Sequence, residues 1–412
     1  MLRRLVFVIV LLLPCVHASR SAAQDPDQPP PAPPVIESPG PIPEVPEHTR
    51  SLEFGLPDLQ DAVAAVGELR AAVRTSPRSA EDRAKLAQAL YRLGDLDAAI
   101  EESRLAIRLQ PDDARAHVQL AVMLMAKQDW RAAASLLKEA VRLNPGLAHA
   151  HYSLGAVQYS LGNVKAAIQS YREALNLQPY FPDARYRLAL LLKLSGQERD
   201  AAQFMEEAAI GGVPQAQLFL GNAYKSGQEV EKRPDLAIFW WTKAAELGQQ
   251  AAADALSKLR RQALAAETSE RRKAELLKAF ERYRERLWEE FPAYSWTNGD
   301  ESLGVLLRKD DRRDAALAVL FAEAYALSET AQTELGALYE AGWDPYLAPF
   351  DKKILACLET TAAEGFGPAK KILARIYAKG LGVEPNPAKA KAVLKGLPKP
   401  DLKSTLESLG LS

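Results

Sequence analysis

Apolar residues recur along this chain at helical spacing, in short amphipathic runs separated by turns. In the clearest stretch the breaks keep step, because Pro77, Pro111, Pro145 and Pro179 stand 34 residues apart. Between the prolines the same pattern returns. Leu86, Leu120, Leu154 and Leu188 are each followed by a small residue (Ala87, Ala121, Gly155, Ala189). Later in each period come paired small positions, Ala99 with Ala106, Ala133 with Ala140, Ala167 with Ala174 and Ala201 with Ala208. Each period predicts two helices joined by a turn at Gly94, Gly162 or Gly196, with Gln128 in that place in the second period. Small residues let neighbouring helices approach, the leucine fills the groove between them, and the proline ends the second helix.

The period, the Leu-small pair, the two alanine positions and the closing proline resemble the tetratricopeptide repeat over residues 80–212. That resemblance implies an all-α fold, an α-solenoid wound as a right-handed superhelix, whose first helices line a concave peptide- or protein-binding face. One departure stands out. The aromatic residue common at the fourth position is replaced by Arg83, His117, His151 and Arg185, so contact between repeats is expected to rest on Tyr91, Tyr159 and Tyr171.

Residues 213–259 change pattern. Ala216, Leu220-Gly221, Tyr224, Gly227, Ala237, Trp241, Ala244-Ala245 and Gly248 resemble the Sel1-like repeat, a relative with a longer turn. The frame returns within 331–398 as Leu335-Gly336, Tyr339, Gly342, Ala362 and Gly365, and again as Ala374, Tyr377, Gly380, Gly382, Ala388 and Ala392. Between the copies, residues 251–291 lack proline and glycine and could form one helix about 60 Å long. Leu276, Phe280, Tyr283, Leu287 and Phe291 share one of its faces, while residues 267–273 are so polar that the helix must break or project there. Such an arm could pack on its own solenoid or mediate self-association through 251–291. The aromatic run from Trp288 to Trp296, closed by Asn298-Gly299, suits either a corner or a platform for sugar or peptide. A further amphipathic helix at 310–327 looks like half a degenerate repeat, so 260–330 forms the least regular part and 399–412 a tail.

Ahead of the repeats, residues 1–23 combine Arg3 and Arg4, an apolar run and small residues, the layout of a secretory signal peptide. Cys15 follows Pro14 rather than the small residue of a lipidation site. Residues 24–56 are proline-rich and read as a linker, with a proline-rich ligand for another protein as the alternative. Residues 57–77 place Ala65, Leu69, Ala72 and Val73 where later repeats carry second-helix residues, which predicts a capping half-repeat.

Composition narrows the chemistry. The 412 residues are 48% hydrophobic and 25% charged with a formal net charge of −1, which disfavours broad nucleic-acid binding. The lysines beyond Asp351 are interleaved with acids and suit a solvated face. Cys15 lies in the signal segment, leaving Cys357 as a small apolar residue on a helix. His117 and His151 occupy equivalent repeat positions and could share a metal, but no cysteine supports them, so no metal or cofactor is expected. No nucleophile elbow, zincin helix, phosphate loop or paired-cysteine knuckle occurs, and Glu289 with Glu290 is the one carboxylate pair beside aromatics. No enzyme is predicted.

The resemblance implies that the groove-facing residues are Lys85, Gln88, Tyr91 and Arg92 in the first repeat and Gln119, Val122 and Met125 in the second. The third supplies His149, Tyr152, Ser153 and Tyr159, and the fourth Tyr186, Arg187 and Leu190. Ala84, Gln88 and Gln119 do not reproduce the family's carboxylate clamp. A tyrosine-rich, mildly basic face suits an extended peptide with apolar and acidic side chains. The function expected is a non-catalytic protein-interaction scaffold of the bacterial cell envelope, exported, periplasmic, with no membrane span after signal cleavage. Two alternatives stay open, a carbohydrate-binding or hydrolytic module in 251–350 and a membrane-anchored assembly factor.

Overall fold

The computed structural model describes residues 59–227, 230–294, 302–341 and 350–411, with side chains from residue 63 onward. The expected signal peptide and linker, the Asn298-Gly299 turn and Gly342 lie outside the described residues. Among those described, all regular structure is helical. The described residues divide into two compact units that part between Leu191 and Leu192.

In the first unit a leading helix α1 (Leu59–Thr75) lies against α2 (Ala80–Arg92), which pairs with α3 (Leu96–Leu109). The same pairing repeats in α4 (Ala114–Ala126) with α5 (Trp130–Leu143) and in α6 (Ala148–Ser160) with α7 (Val164–Leu177), and α8 (Pro182–Leu194) begins a fourth. Starts are set by side-chain caps: Ser79 accepts from the Asp82 amide at 3.1 Å, Asp113 from Arg115 at 2.9 Å and Asp129 from Ala132 at 3.1 Å. The turns fall where expected. Gly94, Gly162 and Gly196 take left-handed backbone, and Gln128 is forced into it with φ 62°.

A continuous core runs from α1 to α6. Leu86, Leu120 and Leu154 join Ile100, Leu124, Leu137 and Val157, so each helix pair buries its apolar side on the next pair. Tyr171 is 2% exposed and lies flat against Gly155, where an added Cβ would come within 2.9 Å of its ring. Tyr91 is half-buried against the core, but Tyr159 is 47% exposed. The expectation that Tyr159 joins repeat to repeat is therefore corrected. Its ring projects from the last turn of α6, with no glycine-made hollow to enter as Tyr171 has.

The missing aromatic has a different substitute. Arg83 donates from Nε and Nη2 to the Pro77 carbonyl at 3.1 and 3.0 Å, and His151 donates from Nε2 to the Pro145 carbonyl at 3.0 Å. These polar side chains clasp the loop carbonyl ahead of their own helix. His117 turns instead to its own helix start, donating from Nδ1 to Asp113 O at 2.9 Å.

In the second unit α9 (Glu198–Ile210) leads into α10 (Pro214–Ser226) and α11 (Pro234–Glu246), followed by α12 (Gln250–Leu264) and α13 (Glu270–Leu287). The run without proline or glycine is thus not one helix. It ends at Leu264 and restarts at Glu270, because the polar stretch between offers nothing to bury. Leu276, Phe280, Tyr283 and Leu287 are buried and α13 lies against α11, so this face is covered by its own unit.

Then come α14 (Leu303–Lys309) with α15 (Arg313–Tyr325), α16 (Glu329–Ala341) with α17 (Asp351–Ala363), α18 (Gly367–Lys379) with α19 (Pro387–Val393), and α20 (Lys399–Ser408). The α14–α15 pair corrects the half-repeat expected at 310–327. Leu303-Gly304 supplies its first helix, and a Cβ on Gly304 would meet Leu320 at 2.6 Å. Gly221 beneath Trp241 and Gly336 beneath Ile372 are equally tight, at 2.3 and 2.5 Å. Gln217 and Gln332, three residues before each Leu-Gly pair, donate to the carbonyls of Ala209 and Ala324 at 3.0 and 3.1 Å, which seals the preceding helix end.

Candidate functional site

In the first unit His149, Tyr152, Tyr171 and Phe181 come together where α6 approaches the start of α8. Phe181, 5% exposed, is set by Pro182 at the start of α8 and buried against Ala174 and Ala184. His149 stacks on it from α6 with ring centres 5.0 Å apart, and Tyr152 from one turn later at 4.8 Å. Tyr152 also meets Tyr171 at 5.7 Å. The i, i+3 spacing of His149 and Tyr152 puts both on one side of α6, facing α8.

Charge borders the rings. The Arg187 guanidinium approaches the Tyr152 hydroxyl as a donor and lies 6.0 Å from the Tyr186 ring centre. Asp183 lies one helical turn earlier. Crowding by protein pushes its carboxyl above the ordinary value, and Arg187 draws it part of the way back. Burial pulls the His149 imidazole down, which keeps it neutral and apolar near pH 7, and pushes the Tyr152 hydroxyl up. The result is a half-covered aromatic shelf with a cation and an anion on one edge. It can stack rings or proline, and it can pair a carboxylate.

Of the residues expected to line the groove, His149, Tyr152, Tyr186 and Arg187 come together here. Lys85, Gln88 and Arg92 are exposed on α2, with Lys85 paired to Glu81 at 2.6 Å. Gln119, Val122 and Leu190 are half-buried, and Tyr91 and Met125 pack into the core. Ser153 is 7% exposed and faces the interior, so it offers nothing to a partner. Tyr159 is exposed at the far end of α6. Sequence reasoning missed Phe181 and Asp183, although an aromatic residue directly before a helix-starting proline was a readable signal.

Elsewhere the candidate chemistry is engaged internally. Tyr294 is 7% exposed and donates to Asp310 at 2.7 Å, while Arg312 lies 5.4 Å from the Phe291 ring centre. The described part of the aromatic run therefore fills a corner. Glu290 pairs with Lys243 at 3.4 Å and Glu289 with Arg286 at 3.6 Å. Cys357 is fully buried, and burial pushes its thiol up to about 12. Among the described residues, no cluster of three or more His, Cys, Asp or Glu is arranged for a metal, and no helix is long and apolar enough to cross a membrane.

Comparison with known proteins agrees with the repeats. A tetratricopeptide repeat family model matches residues 54–114 and 118–182, and the Sel1 repeat model matches 214–249 and 369–392. A comparison with curated protein sequences finds no match. Among solved structures, a crystal structure of MamA is 25% identical, covering 37% of this chain and 89% of its own, with a TM-score of 0.34. Pseudomonas aeruginosa pilF is 22% identical, covering 46% and 89%, at 0.39. YrrB, described as a TPR protein with an unusual peptide-binding site, is 20% identical, covering 46% and 98%, at 0.35. With helix pairs recurring in both units and repeat models matching in each, the chain carries tetratricopeptide repeats over 54–182 and Sel1 repeats at 214–249 and 369–392.

Proposed function

We propose that this protein is a non-catalytic scaffold that binds an extended peptide segment of a partner protein on the first-helix face of its first unit. The observation that carries the reading is the shelf of His149, Tyr152 and Phe181 edged by Arg187. His149 and Tyr152 are half-buried over the buried Phe181 ring, and partly exposed aromatic side chains beside a guanidinium are the kind that dominate binding at protein interfaces. A segment alternating apolar or proline residues with carboxylates matches both features. The signal-like start of the chain supports export, and the reading extends to a role in the cell envelope, where such a scaffold would hold partners together.

Peptide arrays probed with the full chain test this directly. Apolar-acidic peptides should bind, and Tyr152→Ala with Arg187→Ala should weaken binding by tenfold or more, since truncating such residues costs about 2 kcal/mol or more. Equal binding by the double variant would refute the placement of the site. Intact-mass measurement of exported protein tests the signal peptide separately.

A further inference from the structure

We infer that the acidic, proline-rich stretch at residues 24–49 of this chain is itself a ligand of the first-helix face, held in cis until a partner segment displaces it. This rests on the reading of that face as a peptide site.

Three observations favour this occupant. The first is chemical fit. Residues 24–49 contain ten prolines, including Pro29-Pro30-Pro31 and Pro33-Pro34, and extended proline segments dock on shelves of aromatic rings. The half-buried rings of Tyr152 and His149, backed by the buried Phe181 at 4.8 and 5.0 Å, form such a shelf.

The second is charge. Residues 24–49 carry Asp25, Asp27, Glu37, Glu44 and Glu47 and neither lysine nor arginine. The first helices of this unit, α2, α4, α6 and residues 182–191 of α8, carry Arg83, Lys85, Arg92, Arg115, Arg185 and Arg187 against Glu81, Asp82 and Asp183. That is six cations to three anions. Arg83 is already matched by Glu102 at 2.7 Å and Lys85 by Glu81, whereas Arg187 sits among tyrosines at the shelf with Asp183 one turn away.

The third is reach. Residues 35–58 separate the double-proline run from α1, and in polyproline geometry they could extend roughly 75 Å at about 3.1 Å per residue. From α1 past α2, α4 and α6 to α8 is four steps of about 8–10 Å between neighbouring helices, or roughly 40 Å. The tether is long enough with slack, and a tether of this kind presents its ligand at an effective concentration on the order of millimolar.

The test uses the full chain with a photo-crosslinking side chain at position 186. The expected product is an intramolecular adduct, of single-chain mass, joining position 186 to a peptide within 24–49. A second measurement titrates a labelled synthetic peptide of residues 24–49 into wild type and into a variant with Asp25, Asp27, Glu37, Glu44 and Glu47 all changed to Lys. The variant should bind the added peptide about tenfold more tightly, because its own segment no longer competes.

Adducts outside 24–49, adducts of two-chain mass, or equal affinity in wild type and variant would overturn the inference. If array peptides still bound the face with a Tyr152 and Arg187 dependence, the peptide-site reading would survive that failure. If neither they nor the 24–49 peptide bound, both would fall.

Discussion

Arg260 of α12 and Glu364 at the end of α17 meet as a two-pronged ion pair across 104 residues of sequence, Nε to Oε2 at 2.5 Å and Nη2 to Oε1 at 2.9 Å. Their side chains are 5% and 2% exposed, and the guanidinium also lies 5.3 Å from the Tyr325 ring centre. Neither charge can be left alone there. Removing one partner strands the other in a low-dielectric interior, a cost of about 3–5 kcal/mol, whereas replacing both with apolar residues of similar volume is often neutral. Arg260→Ala should therefore lower the stability of the second unit by about that amount in urea titrations. Arg260→Met with Glu364→Leu should recover most of the loss. A single variant as stable as wild type would show that the pair is solvated.

Gln128 occupies the turn where the other repeats of the first unit carry glycine, with φ 62°. A residue with a Cβ pays about 1–2 kcal/mol in this region of backbone. Gln128→Gly should stabilise the protein by up to about 1 kcal/mol once the larger freedom of glycine in the unfolded chain is counted, and so raise the unfolding midpoint. A lower midpoint would mean that the glutamine side chain holds the turn in some other way.

Glycine to alanine should change sign with position. At Gly221 the new Cβ would sit 2.3 Å from the Trp241 ring, and overpacking of this kind costs about 1–3 kcal/mol. At Gly67, inside α1, nothing lies within 4 Å, so Gly67→Ala should gain about 0.5–1 kcal/mol from helix propensity alone. Thermal unfolding of the two variants gives the comparison. Equal effects would indicate that Trp241 can move aside.

Cys357 should be inert in the folded protein. Its thiol is buried and pushed up to about 12, so the reactive thiolate is about one part in ten thousand at pH 8. Iodoacetamide should label it at the rate of unfolding, and labelling should accelerate sharply in denaturant. Rapid modification without denaturant would reveal local opening of α17.

Much of the helical order is legible in the sequence. The Leu-small pairs, the turn glycines and the departure at Gln128 all sit in the structure where the periodicity placed them. Leu303-Gly304 carries the same pair but is hard to read in the sequence, because it opens a helix of only seven residues directly after the irregular aromatic run. For the candidate site, His149, Tyr152, Tyr186 and Arg187 were readable from repeat position. Ser153 and Tyr159 were not separable from them, since repeat position specifies a side of the helix and not how deeply that side is covered.

The amino-acid sequence by itself determined the helix-turn-helix repeat, its period and the apolar side that each helix turns to its neighbours, because these follow from which side of a short helix is apolar and where the backbone must turn. Only the tertiary structure decided that Arg83 and His151 clasp loop carbonyls in place of an aromatic residue, that Tyr171 sinks onto Gly155 while Tyr159 stays outside, and that Arg260 finds Glu364. Periodicity carries the orientation of a side chain about its own helix. Which partner waits there depends on another helix, and that information exists only once the two have packed.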